Sequence, residues 1–206
     1  LMKIVTLNTW GTDGPYEKRW EFFLKELHAL NPDIICLQEV FGLTLVERVK
    51  KVLGFPYSVD LHEVGLATIA RFNISRSKTI AYQTVSPLEP YRRGTVLTTF
   101  EIGREKLSIA NTHLSWKPED ESSRFEQVEE LLKEVETWGG SFILAGDFND
   151  VPESAPLKKI KNAGFADLFE QLNPKERGLT WDNQSPFIQS HSVKLPDRSI
   201  DFLFAD

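Results

Sequence analysis

Short apolar runs alternate along the chain with longer segments in which apolar residues recur every three or four positions. The short runs are typical of buried strands, and the longer segments are typical of helices that bury one face. Strands are predicted at 2–7, 33–37, around Tyr57, and at 65–72, 78–84, 95–100, 106–114, 142–146 and 199–204. Helices are predicted from Trp20 to Leu30, over 43–53, from a capping box of Ser123 and Glu126, and near 153–163.

The order of these elements favours one layered domain. Strands and helices alternate imperfectly, and the middle of the chain is strand-rich, which suits a layered α/β sandwich better than a purely parallel sheet. No internal repeat, low-complexity tract or linker interrupts the sequence. We therefore expect a single domain over residues 1–206, in which 41% hydrophobic residues supply ample material for a core.

Charge and cysteine content narrow the cellular setting. The formal charge of −6 gives no overall basic field that would attract nucleic acid or an anionic membrane, although a local basic patch stays open. Cys36 is the single cysteine, so no intrachain disulfide can form, which suits a reducing compartment. No signal peptide and no membrane-spanning run is visible. These observations predict a cytoplasmic protein that does not insert into membranes.

Polar side chains stand where several of the predicted strands end. They are Asn8, Glu39, His113, Asp147 with Asn149, and Asp201. Such groups beside an apolar run must be paired, hydrated or used. Glu39 and Asp147, gathered at one rim with few cations, call for a divalent metal, and oxygen ligands without cysteine indicate Mg²⁺ or Mn²⁺. With His113 and Arg93 as donors to a phosphoryl group, this pattern predicts metal-assisted hydrolysis of a phosphoester.

Each of these positions also has a structural interpretation. Asp147 and Asn149 project to the same side of an extended backbone, but Gly-Asp-x-Asn also suits an Asx turn after a core strand. Arg93 and its neighbour Arg92 could equally be solvated loop charges. Trp181 is more often a core residue than a platform for substrate stacking, so a substrate-binding role stays open. The remaining alternatives are a helix-starting role for Glu39, a turn cap at Asn8 and a satisfied core histidine at His113.

Five segments carry a resemblance to a known family. They are LNTWG (7–11), ICLQEV (35–40), NTHLSW (111–116), LAGDFND (144–150) and SIDFLF (199–204). In this order they resemble the endonuclease/exonuclease/phosphatase superfamily, which includes metal-dependent deoxyribonucleases, abasic-site endonucleases, sphingomyelinases and inositol-polyphosphate phosphatases. The resemblance implies a four-layer α/β/β/α sandwich of two mixed β-sheets flanked by helices, with the site at one edge.

The resemblance also implies a role for each candidate residue. Asn8 and Glu39 would belong to the site of a Mg²⁺ or Mn²⁺ ion, with Glu39 as the principal ligand. Asp147 would orient or deprotonate the attacking water, and Asn149 would hold that water and the phosphoryl oxygens. The other implied roles are contact with the scissile phosphate for His113 and support of a final catalytic histidine for Asp201.

The sequence departs from the family pattern near its last strand. In the family a Ser-Asp-His segment follows the Ile-Asp strand, whereas this sequence ends at Asp206. The other histidines, which match that segment by no motif, are His28, His62 and His191. We therefore expect a C-terminally incomplete domain without its last strands. Its apolar edge at Phe202 and Phe204 would favour a dimer or a complementing C-terminal segment.

Three functions are consistent with these features. The first is a Mg²⁺-dependent phosphodiesterase that is nuclease-like or acts on a small diester, so that its partner is a phosphoester and nucleic acid is one candidate. The second is a phosphomonoesterase or a phospholipid head-group hydrolase of the same superfamily. The third is an inactive binding or scaffold domain, which the absence of the final histidine motif favours.

Overall fold

The fold is a sandwich of two β-sheets with helices on both outer faces, and the predicted four-layer arrangement is confirmed. The computed structural model describes residues 2–189, 191 and 193–206. The strands are β1 (Ile4–Asn8), β2 (Ile34–Gln38), β3 (Tyr57–Leu61), β4 (Leu66–Ala70), β5 (Asn73–Ala81), β6 (Gly94–Ile102), β7 (Glu105–His113), β8 (Phe142–Asp147), β9 (Ala166–Asp167) and β10 (Asp201–Ala205). The helices are α1 (Tyr16–Leu30), α2 (Leu43–Leu53), α3 (Glu121–Trp138), α4 (Ala155–Asn162), α5 (Leu168–Leu172) and α6 (Pro186–Gln189).

Both sheets are mixed. The first has the strand order β1-β2-β4-β3, and the second has the order β5-β6-β7-β8-β10-β9. Within them, β1 pairs with β2 and β7 pairs with β8 in parallel. Parallel neighbours need a crossover connection, which α1 and α3 provide. The carboxyl ends of both parallel pairs therefore carry the loops that form the candidate site.

Alternation along the strands divides the core into layers. Ile35 and Leu37 of β2 pack with Trp20 of α1 on the outer face of the first sheet. Leu144 of β8 packs under α3 and α4 on the outer face of the second sheet. The intervening positions, such as Cys36, fill the space between the sheets. Because side chains alternate with a period of two, the polar residues that continue the inner face end up between the sheets.

Several predicted boundaries are wrong, among them the start of α1, which is Tyr16, and the start of β10, which is Asp201. Helix α3 begins at Glu121, before the predicted capping box, because the Ser123 hydroxyl donates to the Asp120 carboxylate (2.7 Å) instead of capping a helix. The strand predicted at 78–84 is β5, which begins at Asn73 and ends at Ala81. In the described part of the chain, no helix has the length and apolar character needed to cross a membrane.

The expected apolar edge on the last strand is also absent from the described chain. Strand β10 pairs with β8 on one side and with β9 on the other, where Phe204 is the register partner of Asp167. Phe202 and Phe204 are 5% and 0% exposed. The prediction is wrong because Phe202 packs against Phe148 and Phe204 pairs with β9, a two-residue strand that leaves no periodic signal in the sequence.

Candidate active site

The candidate residues meet at one end of the space between the sheets. In the second sheet, His113, Asp147 and Asp201 are register partners across β7, β8 and β10, so they form one row on the inner face. In the first sheet, Asn8 ends β1 and Glu39 directly follows β2. The two sheets thus contribute to one site from opposite sides.

The backbone at this end takes unusual conformations. Among the described residues, four non-glycine residues have a positive φ, and three of them lie here: Trp10 (55°), Glu39 (59°) and Asn149 (52°). Gly146, directly before Asp147, has a φ of 150°, and a Cβ atom there would lie 2.0 Å from the Thr112 carbonyl oxygen. Such conformations cost free energy and tend to cluster at functional sites, where they aim side chains.

Asn8 connects the two sheets at the site. Its Nδ2 donates to Glu39 Oε1 (2.9 Å) and to Asp147 Oδ2 (2.8 Å). Its Oδ1 accepts from the Trp10 backbone N–H (2.8 Å). One amide therefore fixes the relative position of two carboxylates and of the turn that carries Trp10.

Asp147 and Asn149 form the Asx turn that the sequence allows, and both also line the candidate site. The Asn149 N–H donates to Asp147 Oδ1 (2.9 Å), which is an Asx turn. The Asn149 side-chain nitrogen donates to the Leu114 carbonyl oxygen (3.0 Å) and lies 3.0 Å from His113 Nε2. The turn thereby holds the Asn149 amide beside the Asp147 carboxylate.

A buried ion pair supports His113 from behind. Arg93 binds Glu89 through two contacts, Nη2 to Oε2 (2.8 Å) and Nε to Oε1 (3.1 Å), and its Nη1 lies 3.1 Å from His113 Nδ1. Burial, and then the positive charge of Arg93, lower the pKa of His113 well below its usual value. The imidazole is therefore neutral at ordinary pH, and a neutral ring can donate a hydrogen bond without carrying charge.

The carboxyl groups of Asp147 and Asp201 resist ionisation when no cation is present. Burial raises the pKa of Asp147 well above its usual range, and the charges of Asp201 and Glu39 add to the shift. Burial also raises the pKa of Asp201 to about 6, against a hydrogen bond from Thr180. Repulsion between neighbouring carboxylates is a feature of sites that bind a cation or share a proton.

The site opens into a cavity of about 640 Å³. Seven of the eight sequence-predicted residues line it, namely Asn8, Glu39, Arg93, Asp147, Asn149, Trp181 and Asp201. The eighth, His113, is 1% exposed and lies behind the wall, where it contacts Arg93 and Asn149. The residues proposed from strand ends therefore share one concave surface, although direct access of His113 to a ligand is limited.

The donor set fits Mg²⁺ or Mn²⁺ as a partly hydrated ion. Asp201 Oδ1 is buried and has no hydrogen-bond partner among the described residues. Glu39 and Asp147 line the same cavity, so three carboxyl groups are available to a cation there. Within the same residues, no group of three acidic, histidine or cysteine side chains forms a complete ligand set. Mg²⁺ commonly binds through one or two carboxylates and keeps several waters, so an incomplete protein cage suits it.

Of the aromatic wall of the cavity, the sequence indicated only Trp181 as a candidate. Trp10 and Trp181 both pack against His191, with ring centroids 5.2 Å apart in each pair. Trp116 and Tyr91 line the same cavity. Trp10 and Trp116 lie inside the segments LNTWG and NTHLSW, so those segments held a signal, whereas His191 lies in a loop that no motif marks.

Buried arginines hold the site loops from below. Arg19 of α1 donates to the carbonyl oxygens of Thr9, Trp10 (3.2 Å), Gly11 (3.3 Å) and Asp13. Arg124 of α3 donates to the Asp150 carboxylate (2.7 Å) and to the carbonyl oxygens of Ser115, Lys117 and Pro118. A guanidinium has five N–H donors in a rigid fork, and this lets one side chain gather several carbonyls.

The pKa of Asp201 predicts how the metal-free protein responds to pH. An acid whose pKa is about 6 when folded and about 3.9 when unfolded binds its proton more tightly in the folded state. Its stabilising contribution is present below pH 4 and is lost as the pH rises through 6. Asp201→Asn removes this titration, so its free energy of unfolding relative to wild type should increase between pH 4 and pH 7. Urea unfolding in EDTA measures it, and a pH-independent difference would contradict the assignment.

The two mixed sheets, flanked by helices and with carboxylates from both sheets at one end, define a layered α/β sandwich, and the sequence comparison identifies its family. Residues 5–204 match the Endonuclease/Exonuclease/phosphatase family, so the chain belongs to it. Among curated relatives, the chain is 27% identical over 168 residues to Protein angel of Drosophila melanogaster, covering 69% of this chain and 46% of that protein. It is 28% identical over 190 residues to 2',5'-phosphodiesterase 12 of Mus musculus, covering 74% and 31%.

Solved structures agree on the fold. A β-hairpin deletion mutant of beta toxin from Staphylococcus aureus superposes with a TM-score of 0.84 at 17% identity and covers 100% of this chain and 87% of that one. TDP2 of D. rerio, complexed with a single-strand DNA product, gives 0.82 at 21% identity and covers 99% and 83%. The chain spans less than half the length of the first curated relatives.

Proposed function

We propose that this chain is a Mg²⁺- or Mn²⁺-dependent phosphodiesterase that acts on nucleic acid or a related small diester. The observation that carries the proposal is the convergence of Glu39, Asp147 and Asp201 on one cavity, with a buried Asp201 oxygen that lacks a partner in the described chain. Two relatives support a diester between nucleotides as the substrate: the 2',5'-phosphodiesterase 12 named above and a probable CCR4-Not complex 3'-5'-exoribonuclease subunit of Vairimorpha ceranae, which is 28% identical and covers 92% of this chain and 45% of that protein.

The roles in the proposed reaction follow from the contacts. Glu39, whose carboxylate accepts a hydrogen bond from Asn8, would hold the cation, and Asp201 of the other sheet would be available as a second ligand. A bound divalent ion supplies a Lewis acid that neutralises charge on the phosphoryl oxygens. Asp147 accepts the proton of the attacking water, a task for which a raised carboxyl pKa is suited.

The neutral groups around Asp147 complete the proposal. The Asn149 side-chain oxygen accepts a hydrogen bond from the attacking water, while its nitrogen is held by the Leu114 carbonyl oxygen and lies against His113. Arg93 contributes positive charge at the cavity wall, although its ion pair with Glu89 limits how far it can reach. Trp181, with the other aromatic residues of the wall, contacts the group attached to the phosphate.

Glu39→Gln should weaken Mn²⁺ binding by at least tenfold, because it removes the charge of the principal ligand while preserving its shape. Isothermal titration of wild type and variant measures the dissociation constants. Glu105→Gln is the matched control, since Glu105 begins β7, whose other end carries His113 at the site. Equal binding by wild type and Glu39→Gln would remove Glu39 from the metal site.

A substrate panel with and without Mg²⁺ tests the reaction itself. Hydrolysis of oligonucleotides or bis(p-nitrophenyl) phosphate, with slower release of phosphate from monoesters, is expected. A preference for monoesters or for phosphocholine lipids would replace the proposal with the second function inferred from the sequence. Metal binding without turnover of any substrate would replace it with a binding domain.

A further inference from the structure

Two fully buried amides join the sheets one layer below the carboxylates. Gln38 and Asn111 are each 0% exposed, and Gln38 Nε2 donates to Asn111 Oδ1 (2.8 Å). Gln38 directly precedes Glu39 at the end of β2, and Asn111 lies two residues before His113 on β7. This pair, here called the amide bridge, therefore adjoins site residues of both sheets.

The amide bridge makes several hydrogen bonds between the two sheets. Asn111 Nδ2 donates to the backbone carbonyl oxygens of Ala67 (3.0 Å) on β4 and Leu37 (3.2 Å) on β2. Gln38 Nε2 also approaches Thr6 Oγ1 (3.1 Å) on β1. One side chain of the second sheet is thus hydrogen-bonded to two strands of the first sheet and, through Gln38, is connected to a third.

The neighbouring inter-sheet layer is apolar and contains Cys36, Ile109 and Ala145. Apolar contacts hold two sheets together but are non-directional, so they tolerate small sliding movements. Hydrogen bonds weaken steeply when their geometry changes, and they fix the offset between the sheets more tightly. A metal or catalytic site needs its groups held within about 0.5 Å of their working positions.

We propose that the amide bridge is a positioning device that sets the separation of Glu39 and Asp147, and with it the affinity for a divalent cation. This inference rests on the proposed function, because it assumes that these two carboxylates face one ion. Gln38 and Asn111 lie outside the cavity wall and act through the strands that carry Glu39 and His113. Asn8 makes the corresponding link in the layer above.

The test replaces both amides, in Gln38→Met/Asn111→Leu, and measures Mn²⁺ affinity and thermal stability together. The double substitution removes both partners of the Gln38–Asn111 hydrogen bond at once, but the Ala67 and Leu37 carbonyl oxygens lose the Asn111 donor, so the melting temperature should fall while the fold is retained. Loss of groups that orient metal ligands typically weakens metal binding about 10–100-fold, and we expect a rise of that size in the dissociation constant.

Ser108→Ala is the matched control. It breaks the buried hydroxyl pair between Ser108 of β7 and Thr99 of β6 (2.9 Å), which shares only β7 with the amide bridge, lies at the end away from the site and stays within one sheet. The control should lower the melting temperature slightly and leave the Mn²⁺ dissociation constant unchanged. An equal loss of affinity in both variants would make the amide bridge a general stabilising contact and overturn the inference.

The outcomes separate this inference from the proposed function. If wild type binds Mn²⁺ and the folded double variant binds it equally well, the inference is wrong and the proposed metal site stands. If wild type does not bind Mn²⁺, both fail. If the double variant does not fold, Gln38→Met alone decides: a weaker affinity at an unchanged melting temperature supports the positioning role, and an unchanged affinity overturns it.

Discussion

Asp147→Asn is expected to lower kcat by about 10²–10⁴-fold, the usual effect of removing a positioned general base. The amide is isosteric with the carboxylate, and its single oxygen can accept from Asn8 or from the Asn149 N–H but not from both, so some stability is lost while the fold should persist. It cannot take a proton from water, and that function is what the raised pKa of Asp147 favours. Single-turnover kinetics with a saturating diester and Mg²⁺ measure the chemical step.

The control for this prediction lies at the start of β8, the end of the strand opposite to Asp147. The Asp206 carboxylate accepts from the Phe142 N–H (3.0 Å), where β8 begins. Asp206→Asn should retain near-full turnover, since it changes the same group far from the cavity. If Asp147→Asn also retained near-full turnover while binding Mn²⁺ normally, another group would have to serve as the base.

The layered fold could be predicted because the spacing of apolar residues and the residues that end each element indicate the same helices and strands. In β2, the alternation of Ile34 and Cys36 with Ile35 and Leu37 assigns each side chain to the correct layer. Helix α2 has the predicted bounds, Leu43–Leu53, because Gly54 ends it in the left-handed conformation that glycine favours. Strand β9 could not be predicted, because two residues carry no period and gain their pairing from β10 alone.

The carboxylates of the site could also be predicted from the sequence, but the residues that hold the site loops and most of those that line its aromatic wall could not. Asp147 and Glu39 stand at strand ends, where a carboxylate is conspicuous. Glu89 and Arg19, by contrast, are buried charged residues, 6% and 1% exposed, that bind Arg93 and the backbone around Trp10. Their contacts depend on how a loop and a helix pack in space, and no local pattern encodes that. His191 is placed at the aromatic wall by the same kind of long-range packing.

Arg124→Met is expected to destabilise the fold by about 3–5 kcal/mol, the usual effect of removing one partner of a buried ion pair. Arg124 is 2% exposed, and its guanidinium lies 2.7 Å from Asp150 Oδ2. Methionine preserves the apolar stem but leaves a buried carboxylate without its cation. The carbonyl oxygens of Ser115 and Lys117 lose their donor as well. Urea unfolding at neutral pH measures the loss.

A second substitution distinguishes the lost ion pair from simple loss of packing. Arg124→Met/Asp150→Asn also removes the charge, so it should be more stable than Arg124→Met alone, although each single change is destabilising. Arg104→Met, at an exposed arginine, should change stability by less than about 0.5 kcal/mol. Equal stability of the single and double variants would show that the charge is not what matters.

Arg124 should also affect the reaction, although its side chain does not line the cavity. Its carbonyl contacts hold the loop that carries Trp116 at the cavity wall, and its ion pair holds the residue after Asn149. Arg124→Lys keeps the charge but cannot reach the same set of carbonyls, because lysine offers a single ammonium instead of a planar fork. We therefore expect Arg124→Lys to be folded at 25 °C with a raised KM. An unchanged KM would restrict Arg124 to a stabilising role.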